Sequence, residues 1–238
     1  NAVTSGTGGE NLTWTLSDYG TLTISGTGSM TDYSYEGAPW YSKRSSIQTL
    51  IIQSGVTRIG AYAFYECTNL KSVTIPEGVT GIGDYAFYGC PKLKSVMIPE
   101  GVTSIGEHAF FGCTSIESVT IPEGVTSIED ATFSGCTSLT SITIPDCVTS
   151  IEDKAFYNCS SLTNVTIPEG VTSIGKNAFS DCTSIESITI PEGVTSIGKQ
   201  TFYNCGSLTS ITIPDSVTSI RSEAFYGCSG LEGVYISD

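Results

Sequence analysis

The sequence predicts a right-handed solenoid with a parallel β-sheet, short helical or 3₁₀ turns and a β-hairpin cap at the N-terminus. Three observations predict this fold. Cysteine recurs every 23 residues, the residues around each cysteine recur with it, and the first 46 residues lack the period. A fixed period of about 20–50 residues is typical of solenoids, in which only the stacking of neighbouring units buries a core.

Eight copies of the repeat follow a half copy, and the last copy is incomplete. We call each copy a rung and number the rungs from one to eight. They begin at Ile59, Ile82, Ile105, Ile128, Ile151, Ile174, Ile197 and Ile220. Their cysteines are Cys67, Cys90, Cys113, Cys136, Cys159, Cys182, Cys205 and Cys228. We therefore predict a cap over residues 1–46 and one solenoid over residues 47–238.

Each rung is expected to hold a short strand, a second extended piece and a turn. In the first rung, residues 72–75 alternate polar and β-branched residues, which predicts a strand with Val73 and Ile75 inward. Pro76 ends the strand because proline cannot donate to the next ladder. Residues 79–82 form the second extended piece. Residues 61–67 are expected to make one or two turns of α or 3₁₀ helix.

The residue before each repeat cysteine predicts a left-handed backbone at the end of this turn. Glycine, asparagine or aspartate tolerates that conformation best. These residues are Gly89, Gly112, Gly135, Asn158, Asp181, Asn204 and Gly227, and Glu66 is the exception.

The non-repeating N-terminal segment predicts a β-hairpin. Residues 12–16 and 21–24 alternate apolar and polar side chains around a turn at residues 17–20. The end of a solenoid exposes core and strand edge, which a terminal unit must cover. The hairpin, with Trp40 as a plug, is expected to be that cap.

The cysteines are interpreted as buried packing residues. Zinc sites pair cysteines two to four residues apart, and here the spacing is 23. Disulfides between neighbouring rungs fit the strand spacing, but eight side chains that point the same way form a column and not facing pairs. Cys147 replaces a glycine of other rungs and is expected to be partly exposed.

The charge excludes some partners. The net charge is −14 and the isoelectric point is near 4.3. Nucleic acid is not expected as a partner because phosphate binding needs a basic patch. Anionic membranes are disfavoured for the same reason. No apolar run reaches the roughly 20 residues that a membrane-spanning helix needs.

The repeated Ile-Gly-x-x-Ala-Phe-x-x-Cys, the run Leu-x-x-Val-x-Ile-Pro-Glu-Gly-Val-Thr-Ser and the leader at residues 12–28 resemble the BspA-like leucine-rich repeat family of bacterial surface proteins. The cysteine precedes the strand, unlike in the commoner leucine-rich repeat pattern. The resemblance implies a curved leucine-rich-repeat-type solenoid. It also implies secretion or cell-surface display, and adhesion to host or matrix proteins. It supplies no catalytic residue.

Catalytic, metal and cofactor sites are not predicted. His108 is the single histidine. It is expected to be exposed, at a variable position without a nucleophile partner. One carboxylate per rung should form a column, which falls short of the six to eight oxygen ligands that calcium prefers. We interpret it as a solvated acidic edge. The column is Glu77, Glu100, Glu123, Asp146, Glu169, Glu192 and Asp215.

Aromatic residues give the candidate binding surface. A stripe of rings follows the buried phenylalanines, interrupted by Ser134 and Ser180, and could either bind a partner or stack on itself. The outward strand positions carry mostly serine and threonine and offer few anchors. The candidate residues are Tyr65, Tyr88, Phe111, Tyr157, Tyr203, Tyr226, Trp40 and Tyr41.

Three functions remain open at this stage. The first is a non-catalytic, secreted or surface-attached module that binds a protein. The second is a structural spacer that presents another domain, and the third is a carbohydrate-binding module. The strand at residues 234–238 ends the sequence without a capping motif. We expect the native chain to continue there, or a second molecule to close this edge across a two-fold axis.

Overall fold

A computed structural model describes residues 4–236 and shows a parallel β-solenoid of about eight coils with little helix. The predicted fold class is confirmed. Residues 1–3 and 237–238, the outer ends of the two predicted segments, lie outside the described residues. The strands are β1 (Thr4–Gly9), β2 (Leu12–Leu16), β3 (Thr21–Gly26), β4 (Gly28–Ser29), β5 (Thr49–Ile52), β6 (Val56–Ile59), β7 (Ser72–Thr74), β8 (Gly81–Ile82), β9 (Ser104–Ile105), β10 (Ser118–Thr120), β11 (Ser127–Ile128), β12 (Ser141–Thr143), β13 (Ser150–Ile151), β14 (Ser173–Ile174), β15 (Ser187–Thr189), β16 (Ser196–Ile197), β17 (Ser210–Ile213), β18 (Ser219–Ile220) and β19 (Gly233–Ile236).

Two series of parallel strands run along the solenoid. The first is β5-β7, β10-β12 and β15-β17-β19, and the second is β4-β6-β8-β9, β11-β13-β14 and β16-β18. Within the repeats, each paired strand residue faces the residue 23 positions away, as Val119 faces Ile142. The first series is interrupted at residues 95–97, and at Asn164 it keeps only a bridge to Ser141. The outward residues are exposed as expected, and Met97 is 85% exposed.

The N-terminal strands continue the first series. β2 pairs with β3 as the predicted antiparallel hairpin, and β1 adds a third strand on the far side. β3 pairs in parallel with β5, so the hairpin extends the sheet of the solenoid. A 3₁₀ helix at Tyr41–Ser46 leads into β5. The boundary between residues 46 and 47 remains a prediction.

One continuous core fills the coils. Phenylalanine rings stack from rung to rung with centroids 5.3–5.8 Å apart, and Trp40 stacks on Phe64 at 5.6 Å to close the column. Trp40 is 1% exposed, and its indole N–H donates to the carbonyl of Ala63 at 2.6 Å. The side chain of Trp40 therefore plugs the N-terminal end of the core.

The predicted helical turns are wrong. Residues 61–66 form consecutive turns, and no helix occurs in the described rungs. The N–H groups of Tyr62, Phe64 and Glu66 donate to carbonyls of the next rung at 2.7–2.9 Å, while those of the residues between them bond three residues back. The next rung thus satisfies alternate N–H groups that a helix would satisfy internally.

Left-handed backbone explains this alternation. The residue before every repeat cysteine has positive φ, from 52° at Glu66 to 77° at Gly227, which confirms the prediction. A second left-handed position, four residues earlier, was not predicted. It holds Tyr62, Tyr85, His108, Ala131, Lys154, Asn177, Gln200 and Glu223, of which only His108 and Asn177 belong to types that favour this conformation.

Candidate functional site: an aromatic face on the turns

The turns of each rung place two side chains at the outer edge of the coil. In the first rung, Ala63, Phe64 and Cys67 are buried, whereas Tyr62 and Tyr65 are half-buried. Successive rungs therefore stack these two positions into two adjacent columns. In the first three rungs the columns hold aromatic rings, and two tyrosines of the N-terminal segment join them. We call this set the aromatic face; it consists of Tyr35, Tyr41, Tyr62, Tyr65, Tyr85, Tyr88, His108 and Phe111.

Ring stacking orders the aromatic face. The ring centroids of Tyr65 and Tyr88 are 4.7 Å apart, and Phe111 follows at 4.6 Å. In the neighbouring column Tyr85 lies 4.7 Å from Tyr62 and 4.6 Å from His108. The planes of these pairs differ by at most 11°. The face is therefore rigid before any partner arrives.

Tyrosines of the N-terminal segment cover the first end of the columns. The ring of Tyr35 meets that of Tyr65 edge-on at 5.2 Å and lies 6.4 Å from Tyr62 and Tyr41. Tyr35 itself is 56% exposed. The Tyr41 hydroxyl donates to Glu36, and the guanidinium of Arg44 lies 4.1 Å above the Tyr41 ring.

Burial and nearby carboxylates raise the pKa of two tyrosines of the face, Tyr65 and Tyr85. Burial raises the pKa of Tyr65 to about 12, and the charge of Glu66 adds to the rise. Burial also raises the pKa of Tyr85, with further contributions from Tyr62 and Glu107. The neutral hydroxyl groups of Tyr65 and Tyr85 can both donate and accept hydrogen bonds.

His108 belongs to the stack and not to a catalytic set. It is half-buried and not exposed as expected, and its Nδ1 is buried without a hydrogen-bond partner. Burial lowers the pKa of His108, although Glu107 and Asp130 act in the opposite direction. A neutral imidazole that stacks on Tyr85 fits this position.

The eight predicted surface residues lie in four different places in the structure. Tyr41, Tyr65, Tyr88 and Phe111 lie in the aromatic face. Tyr157 stands apart, because Ser134 and Ser180 occupy its position in the adjacent rungs. Tyr203 and Tyr226 form a separate stacked pair at 5.3 Å. The inclusion of Trp40 in a surface is wrong, because its ring lies in the core.

Sequence reasoning missed Tyr35, Tyr62, Tyr85 and His108 as members of the face. Tyr62 and Tyr85 share a repeat position, so the 23-residue period contained a signal for the second column. Tyr35 lies outside the repeats, and no periodic signal places it there.

The other predicted groups behave as structural elements. All nine cysteines are free; Cys147 and Cys228 are half-buried and the others are buried. Each thiol from Cys90 to Cys228 in the repeat column donates to a phenylalanine carbonyl at 3.1–3.4 Å. The column from Glu77 to Asp215 is exposed in every rung. Within residues 4–236, no group of carboxylate, cysteine or histidine side chains could hold a metal ion.

Comparison with known proteins assigns the family. The model of the BspA type leucine rich repeat region matches residues 38–163 and 149–238, with six copies. The chain belongs to the BspA-type leucine-rich repeat family. No curated protein matches it. In the described part of the chain, no helix has the length and apolar character to cross a membrane.

Solved structures of bacterial leucine-rich repeat proteins have a similar fold. A leucine-rich repeat protein from Bacteroides ovatus is 30% identical with a TM-score of 0.71, over 96% of this chain and 70% of that one. A leucine rich cell surface protein from Faecalibacterium prausnitzii is 25% identical with a TM-score of 0.64, over 100% and 96% of the two chains. A T. pallidum leucine rich repeat protein is 28% identical with a TM-score of 0.55, over 92% and 86%.

Proposed function

We propose that this chain is a non-catalytic module, displayed at a bacterial cell surface, that binds a protein through the aromatic face. The observation that carries the proposal is the pre-formed double column of half-exposed rings in rungs one to three. Tyrosine supplies a large amphipathic contact area at low entropic cost, and a rigid surface loses little freedom on binding. A structurally similar bacterial protein described as a leucine rich cell surface protein supports the location. The partner is expected to be a host or matrix protein.

A glycan is a weaker candidate for the same surface. Sugars stack on the open face of an aromatic ring, whereas each inner ring here has its faces covered by the rings of adjacent rungs. Ring edges and hydroxyl groups are what the aromatic face offers. These suit the mixed polar and apolar surface of a protein.

The spacer function rests on a different surface. The outward strand positions repeat serine and threonine with little variation, which suits a rod that holds another domain away from the cell. The aromatic face is the feature that a spacer does not need.

The serines that interrupt the stripe supply a matched experiment. Tyr65→Ser with Tyr88→Ser gives the first two rungs the side chain of Ser134 and Ser180. Tyr203→Ser with Tyr226→Ser makes the same change outside the aromatic face. Binding to a panel of purified matrix and host-surface proteins is measured by surface plasmon resonance. The first variant should bind its partner at least about tenfold more weakly, and the second should match the wild type.

Two results would contradict the proposal. Equal losses in both variants would place the contact elsewhere. A wild-type protein that binds no member of the panel would favour the spacer. Circular dichroism checks that both variants remain folded.

A further inference from the structure

The charges at one corner of the solenoid change sign along its length. The residue before the second left-handed position occupies this corner in every rung. The corner column is Ala61, Asp84, Glu107, Asp130, Asp153, Lys176, Lys199 and Ser222. Rungs two to five thus carry carboxylates, and rungs six and seven carry lysines. Next to the column, Lys154 and Arg221 add positive charges, whereas Glu129, Glu152 and Glu223 add negative ones.

No charge of this column forms an ion pair within the described residues, although Asp153 and Lys176 lie one rung apart. Across the described residues, Arg58 with Asp32 is the one ion pair. Asp84 and Asp153 each accept an N–H from the next rung at 2.8 Å, which fixes the carboxylates without neutralising them. Like charges one rung apart repel, and pairing with another molecule would relieve that repulsion.

A second copy of the chain supplies the complementary order. When one copy is turned end over end about a two-fold axis through the fifth rung, rung two faces rung eight, three faces seven, and four faces six. Both copies have the same rung spacing, so the register holds along the whole overlap. A two-fold contact of this kind forms each pairing twice.

We infer that the corner column is a self-association surface that docks antiparallel on a second copy of this chain. The paired residues are Asp84 with Arg221, Glu107 with Lys199, Asp130 with Lys176 and Asp153 with Lys154. Every carboxylate of the column then has a basic side chain opposite it. Complementary charge disfavours the in-register parallel alignment, in which each rung would face its own charge on the other copy.

This inference goes beyond the proposed function and is tested separately from it. The overlap spans rungs two to eight, so Tyr35, Tyr41, Tyr62 and Tyr65 lie outside it. Tyr85, Tyr88, His108 and Phe111 of the aromatic face belong to rungs inside the overlap. Self-association is measured without any other protein present.

The first test reverses two of the lysines. Wild type and Lys176→Glu with Lys199→Glu are compared by sedimentation velocity at low salt, up to protein concentrations on the order of 100 µM. The dissociation constant of the dimer should rise at least about tenfold in the variant, because like charges then face each other. The control, Lys71→Glu with Lys94→Glu, changes two exposed lysines away from the corner by the same total charge and should dimerise like the wild type.

The second test exchanges the charges between two molecules. Glu107→Lys with Asp130→Lys should also be monomeric on its own, and mixing it with the Lys176→Glu, Lys199→Glu variant should restore a one-to-one dimer. Pairing of the acidic part of one copy with the basic part of the other predicts that rescue. A monomeric wild type, a control that loses dimerisation equally, or a mixture that stays monomeric would each overturn the inference.

Discussion

At the residue scale, the left-handed position before each cysteine gives the first prediction. Gly135 has a φ of 74°, and a Cβ there would meet only Gly112 at an ordinary 3.5 Å. The cost of Gly135→Ala should therefore be conformational strain alone, about 1 kcal/mol in the free energy of unfolding. Urea denaturation measures it.

Two further substitutions serve as controls for this position. Gly135→Asn should cost less than Gly135→Ala, because asparagine tolerates the left-handed region. Glu66→Gly should stabilise the protein, because Glu66 holds the same conformation with a φ of 52°. An equal loss from alanine and asparagine would point to packing and not to backbone strain.

Glu129 gives a prediction of pH dependence. Its pKa is raised above the ordinary 4.5 by partial burial first, with contributions from Glu152, Glu107 and Asp130. The folded state then binds the proton more tightly than the unfolded state, so ionisation of Glu129 lowers stability as the pH rises through its pKa. Glu129→Gln should raise the Tm at neutral pH by about 1–2 °C, and the gain should vanish in mild acid.

The matched control for Glu129 is Glu123→Gln. Glu123 is exposed, and its substitution changes the net charge by the same amount. A gain in Tm equal to that of Glu129→Gln would show that net charge, and not the site of Glu129, sets the effect.

At the scale of the element, the cysteine column should be chemically inert. Burial raises the pKa of Cys67 and Cys205 to about 12, which keeps the reactive thiolate scarce. A thiol reagent should label Cys147 first and Cys228 next, and all nine cysteines should react in denaturant. Cys147→Gly, which restores the glycine of other rungs, should remove the fast phase. Disulfides found by mass spectrometry would contradict this assignment.

The strands and the turns differ in how far the sequence predicts them. Strand β7 follows from the alternation around Val73, and the positive φ before the cysteines follows from glycine, asparagine and aspartate. The left-handed backbone at Tyr62 and Lys154 has no such signal, because hydrogen bonds to the next rung impose it. That is why a helix was predicted where the chain makes a ladder.

The sequence also predicts only some of the residues of the candidate site. The column of Tyr65, Tyr88 and Phe111 is periodic, so the sequence predicts it. Tyr35 joins the aromatic face through a non-repeating segment whose path only the fold determines. Trp40 was predicted both as a plug and as part of a surface, and burial against Phe64 excludes the second role.

At the scale of the whole molecule, stability depends on contacts between adjacent rungs. The stability of a repeat array is close to a sum of rung and interface contributions. Phe133 lies between Phe110 at 5.7 Å and Phe156 at 5.8 Å, so its ring contributes to two interfaces. A defect there should weaken the link between rungs one to three and rungs five to eight.

Phe133→Ala should therefore change the cooperativity of unfolding as well as the stability. Removing a fully buried phenylalanine costs about 3–5 kcal/mol. If the two halves then unfold separately, the transition in urea broadens and its apparent m-value falls, since each step exposes only part of the surface. Hydrogen exchange should show one half opening before the other.

Phe225→Ala is the control, because Phe225 stacks only on Phe202, at 5.6 Å, and is partly exposed. It should cost less and leave the m-value nearly unchanged. A Phe133→Ala variant that unfolds in one sharp step with the wild-type m-value would show that the eight rungs behave as one cooperative unit.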